Sequence, residues 1–176
     1  MDRPRAFAGT VTAPANRPIP GPGQESVWDY PRPPRVEPVP ERIRVVIGEL
    51  TLADTTRAFR VLETAGAPVY YLPPADVRVD LLAPTPHRSV CEWKGDASYW
   101  SIALPDRTVP DAAWWYRDPR PGYEAIRDHL AFYAGLVDQA WVGDELAIPQ
   151  PGRFYGGWIT SKVIGPFKGG PGSFGW

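Results

Sequence analysis

Proline and glycine set the limits on what this chain can fold into. The 176 residues carry 23 prolines and 17 glycines, which remove backbone donors and raise the cost of ordering wherever a long helix or central strand would run. Between them lie short runs rich in β-branched and aromatic residues, so the chain reads as mainly β. Ile43 to Leu52 (IRVVIGELTL) reads as strand, tight turn at Gly48-Glu49, and strand. Val69 to Leu72 is a further β-rich run stopped by Pro73-Pro74, after which Asp76 is placed to cap one short helical turn through Leu82. Ser89–Trp93 and Ala97–Leu104 flank Lys94-Gly95-Asp96 as a hairpin, and Ala140–Val142 and Leu146–Ile148 flank Gly143-Asp144 as another. Ala58 to Glu63 admits a helix capped by Asp54 or a strand carrying Phe59, Val61 and Glu63 on one face; the alternation favours the strand. One helix is expected, over 123–137, because Tyr123, Ile126, Leu130, Tyr133 and Val137 recur at three- and four-residue spacing.

The length fits one domain with a real core. Hydrophobic residues make up 43% and aromatics 12%, too many for a wholly disordered chain. Residues 1–23, with five prolines and few large apolar groups, are expected to form a flexible arm, 24–148 a globular β domain, and 149–176 a tail. That tail holds eight glycines and four prolines among six large aromatics, and is expected to pack on the domain or on a partner subunit. The segment 24–40 anchors an extended proline-rich stretch through Trp28 and Tyr30, so 24–40 and 149–176 are the surfaces expected to mediate any homo-oligomer.

A net charge of −1, from 19 basic and 20 acidic residues, supplies no global field for nucleic acid or an anionic membrane. No apolar run approaches the roughly 20 residues that span a bilayer, and Met1 to Pro22 shows no apolar stretch of the signal-peptide kind. A single cysteine, Cys91, excludes an intramolecular disulfide framework and four-cysteine zinc. A cytoplasmic location is expected, with no cofactor and no metal; His87, four residues before Cys91, and His129 do not make a ligand set by themselves.

Chemistry-bearing residues gather in a few places. Cys91 and Lys94 lie either side of a predicted turn, and a lysine near a thiol favours the nucleophilic thiolate. The alternative is that Cys91 packs as a small hydrophobe while Lys94 is solvated at a hairpin tip. Arg57, Glu63, Tyr71, Lys94 and Tyr99 together suit a polar pocket with an aromatic wall, a design that grips a small anionic or zwitterionic ligand. Equally, Arg57 and Glu63 suit a surface pair and the tyrosines sheet packing. Trp114, in Trp114-Trp115-Tyr116, is placed either to stack a ligand ring or to pack a core, as is Gly156-Gly157-Trp158. The Lys168-Gly169-Gly170 loop lacks the spacing of a phosphate-binding loop.

The run CEWKGDASYW (Cys91 to Trp100), preceded by VYYLPPADV (Val69 to Val77) and followed by AWWY (Ala113 to Tyr116) and AFYAGLVD (Ala131 to Asp138), resembles the domain-of-unknown-function 427 family. That family is also catalogued as a nucleotidyltransferase-like domain. The resemblance covers about 42–148, and the arm and tail are similar to extensions of an actinobacterial-type subset. It implies a compact β-barrel or tent-like β fold. Nucleotidyl transfer generally needs Mg²⁺ held by two or three carboxylates, and no such acid constellation stands in the sequence. Three functions follow: a small-molecule-binding domain with a polar and aromatic pocket, a non-catalytic interaction protein clasping a partner through arm and tail, and nucleotidyl transfer. Whether the chain is an enzyme is left open by its motifs.

Overall fold

The computed structural model describes residues 11–176; the first ten residues of the expected N-terminal arm lie outside that range. Three antiparallel sheets carry the domain. The largest orders the strands Ala131–Phe132, Thr108–Trp115, Gly95–Ala103 and Leu82–Cys91. A second orders Glu145–Leu146, Gln139–Val142, Ile43–Ile47 and Leu50–Thr55, and a third Arg35–Pro38, Phe59–Leu62 and Val69–Tyr71. The fold is mainly β, and the strand-forming alternation is plain in Ile43, Val45 and Ile47, all buried, with Arg44 and Val46 only half-buried between them. The expected hairpin turn at Gly48 is present, with a backbone φ of 57° that glycine accepts without strain.

One core fills the space between the second sheet and the central sheet, joining Ile43, Ile47, Leu52, Ile102, Ala113, Phe132 and Trp158. A second lies between the central sheet and the third, where Tyr99, Trp114, Tyr116 and Ala131 meet Val61 and Tyr71, and a smaller one joins Val27, Trp28, Tyr30, Leu62 and Val163. The central sheet is thus covered on both faces. The sheets end in open strands and do not close into the expected barrel.

The helix expected over 123–137 is not formed; among the described residues only three-residue 3₁₀ turns occur. Tyr123, Ile126, Leu130 and Val137 are buried as their spacing implies and Tyr133 is half-buried, but Ala131 and Phe132 are fully buried too, which a one-faced helix cannot achieve. A 3₁₀ turn at Glu124–Ile126 and a left-handed Asp128 (φ 57°) break the run. Ala131 and Phe132 then pair with Trp114 and Ala113 on an otherwise open sheet edge. Edge N–H and C=O groups need partners, and a helix of this length is marginal without packing, so pairing prevails.

The other local expectations are met in part. Ala58–Glu63 resolves to the strand Phe59–Leu62, and Asp54 lies in a strand and pairs with Arg42. Pro73-Pro74 ends its strand as expected, but two uncapped 3₁₀ turns follow, Pro74–Asp76 and Val79–Leu81. Ile148 leaves the third hairpin and pairs with Ile159 of the tail. Among the described residues no helix is long and apolar enough to cross a membrane.

Arg60 ties the edge of the third sheet to the segment at Glu25. It bonds Glu37 at 2.8 Å and Glu25 at 2.9 Å, while Tyr30 donates to Glu25 at 2.7 Å. Burial pushes the Glu25 carboxyl up, but the hydrogen bonds from Arg60 and Tyr30 and the charges of Arg60 and Arg35 outweigh it and hold the carboxyl below its ordinary value of 4.5. A carboxyl depressed in the folded state contributes stability that is complete above the ordinary value and is lost as pH falls through the folded one. The thermal midpoint is therefore expected to drop on acidification below pH 4.5, and Arg60→Met to flatten that dependence. An identical acid slope in the variant would show that other carboxylates carry it.

Candidate functional site

The hairpin between Leu82–Cys91 and Gly95–Ala103 turns early. Cys91 pairs with Gly95, whose φ of 101° suits glycine alone, so Glu92, Trp93 and Lys94 form the turn. Had the strand continued, Cys91 and Lys94 would have pointed to opposite faces. The early turn instead brings both to one cavity of about 440 Å³ on the inner face of the central sheet. Lys94 N–H donates to Cys91 Sγ at 3.5 Å.

Sheet register builds the aromatic wall. Tyr99 stands directly opposite Trp114, and Trp114 opposite the small Ala131, which leaves space on that face. Trp114 Nε1 donates to Tyr71 Oη at 3.4 Å, their rings meeting edge to face at 6.4 Å. Tyr99 Oη shares a hydrogen bond with Ser89 Oγ at 2.8 Å. Burial pushes the Tyr71 and Tyr116 phenols up, so both are neutral at physiological pH.

The tail forms the opposite wall with Tyr155, Gly156 and Lys168. A Cβ at Gly156 would run into the Trp114 ring, so only glycine lets the tail approach this closely. Gln150 fixes the geometry from behind: its Oε1 accepts from Ala67 N–H at 2.9 Å and its Nε2 donates to Lys168 C=O at 2.9 Å.

Charge in the cavity is uneven. Glu63 accepts from Lys168 at 3.1 Å and from Arg32 at 3.4 Å. Lys94, only 9% exposed, has no ion-pair partner among the described residues and lies 5.7 Å from the Tyr116 ring centre. Burial works to lower its pKa, and Tyr71, Cys91 and Glu63 act to raise it back above the ordinary lysine value. The cavity's other carboxylate, Glu92, is exposed at its mouth.

Of the residues singled out from sequence, Glu63, Tyr71, Cys91, Lys94, Tyr99 and Trp114 all line this cavity. Arg57 does not: it is solvent-exposed and pairs with Asp76 at 2.8 Å. Arg57 and Glu63 therefore form no surface pair with each other. Arg32, Tyr133 and Tyr155 are among the further lining residues that carry no signal in the sequence, and Lys168 lines it as well. Lys168 had a signal, as a lone cation in a glycine loop, but nothing local linked it to Glu63, 105 residues away.

An adjoining cavity of about 760 Å³ shares Tyr99, Tyr133, Tyr155 and Gly156 with the first. It is larger, but much of its lining is proline and glycine, and it holds none of the buried cations. His129 lies apart, edge-on to Phe59 at 5.6 Å, and among the described residues no three His, Cys, Asp or Glu side chains converge as metal ligands.

Comparison with curated proteins matches none of them to this chain. The family model described as Domain of unknown function (DUF427) matches residues 35–143, more than half of the chain and the part that contains Lys94 and the aromatic wall. This chain belongs to the DUF427 family.

Proposed function

We propose that the chain binds a small anionic molecule with an apolar or aromatic body in the cavity around Lys94. The observation that carries this is a buried lysine side chain, without an ion-pair partner among the described residues, facing a cavity walled by aromatic rings. Burying an unpaired charge is costly, and an incoming carboxylate or phosphate oxygen offsets that cost. The aromatic wall supplies the apolar contact that most small-molecule sites use, and 440 Å³ is within their usual range of about 300–1,000 Å³.

Lys94→Met tests the reading by binding. Titration calorimetry with benzoate should show affinity falling about 10- to 100-fold, the worth of a lost charge-assisted hydrogen bond. A variant that binds benzoate as the parent does, or a parent that binds no aryl anion, would sink the proposal.

A further inference from the structure

We infer that the ligand carries two negative charges, and that the second is recognised by residues the chain adds outside its family-matched segment. The inference rests on the anion site proposed above. The matched residues 35–143 supply Lys94 and most of the aromatic wall. Arg32 precedes that segment and Lys168 follows it, yet both line the cavity. The Lys168 side chain is 7% exposed, so its charge is as deeply placed as that of Lys94.

Three cations, Arg32, Lys94 and Lys168, thus face one inner carboxylate, Glu63. Glu63 is engaged by Arg32 and Lys168 and forms no ion pair with Lys94. A monoanion would leave one buried positive charge unmatched, whereas a dianion closes the balance. Hydrogen bonding points the same way. Arg32 Nε and Trp93 Nε1, on two lining residues, are buried without an acceptor. With Lys94 Nζ, these unspent groups are all donors, which suits the several acceptor oxygens of a phosphomonoester or a dicarboxylate.

Lys168 is also held ready. Its N–H donates to Ala65 C=O at 2.8 Å, its C=O accepts from Gln150, and its ammonium stands 5.0 Å from the Tyr155 ring centre. A cation fixed on both sides of its Cα gives up little freedom on binding. The ligand class is therefore a small aryl or alkyl dianion, with its body against Trp114 and Tyr155.

The experiment compares benzoate, isophthalate and phenyl phosphate by titration calorimetry at about pH 8, where a phosphomonoester with a second pKa of about 6 is dianionic. Against the parent, at least one dianion should bind about tenfold tighter than benzoate, the effect expected of one further charge-assisted contact. A preference for phenyl phosphate assigns a phosphomonoester, and a preference for isophthalate a dicarboxylate. Lys168→Met should weaken dianion binding about tenfold more than benzoate binding and so erase the dianion advantage, and Lys168→Arg should keep most of it. Glu63→Gln, which removes the opposing charge, should tighten dianion binding, a gain that misfolding cannot mimic. Equal affinities for mono- and dianions in the parent would overturn the inference and leave the anion site standing. No binding by any of the three would overturn both.

Discussion

Replacing Trp158 with alanine is expected to cost about 3–5 kcal/mol of folding stability, the range seen when a large aromatic is removed from a core. Trp158 is fully buried, stacks against Tyr70 at 5.1 Å, and donates from Nε1 to Phe132 C=O at 2.9 Å. Its own backbone N–H donates to Pro68 C=O at 2.8 Å. The substitution therefore removes ring volume and strands a carbonyl together. Because Gly156 and Gly157 lead directly into this anchor, the wall formed by Tyr155 and Gly156 should loosen with it. Urea denaturation measures the first effect, and at roughly 2–4 °C per kcal/mol for a domain of this size the thermal midpoint should fall by about 10 °C. A loss below about 1 kcal/mol would mean that the tail is not part of the core.

The second large effect is expected at Gln150. Leucine there keeps much of the volume but leaves the Ala67 N–H and the Lys168 C=O, both bonded by the Gln150 amide, without partners. At about 1–3 kcal/mol for each stranded buried group, the cost should be about 2–6 kcal/mol. Close packing gives little room for adjustment: a Cβ on Gly157 would already stand 2.6 Å from Ala67 O. Amide exchange should rise across 150–176 more than in the central sheet, since the tail is the element released. Uniform acceleration over the whole chain would instead show that tail and domain open as one unit.

Much of the local architecture was legible. Ile43, Val45 and Ile47 declare a half-buried strand, Gly48 and Gly143 take the left-handed turns expected of them, and CEWKGDASYW marks a hairpin at the centre of the family-matched segment. Six of the seven residues chosen for the site converge on one cavity. The failures came where a local pattern had two solutions. Tyr123, Ile126, Leu130 and Val137 face inward as their spacing predicts, with Tyr133 half-buried, but periodicity tells which residues are buried and not what buries them. The partner for Ala131 and Phe132 was an open strand edge about 18 residues back along the chain, a vacancy that exists only once the sheet has formed.

The same distinction runs through the site. Residue types and spacing by themselves determined a mainly β chain, its hairpin turns, and a lysine beside an aromatic-rich strand. They also excluded a disulfide framework, because there is one cysteine. Only the tertiary structure decided that Lys94 is buried, that Arg57 spends its charge on Asp76, and that Arg32 and Lys168 meet at Glu63 from opposite ends of the chain. Turns and strand faces follow from steric limits within a few residues, which a sequence states directly. Charge pairing across 105 residues follows from which backbones approach closely enough, and that depends on every contact in between.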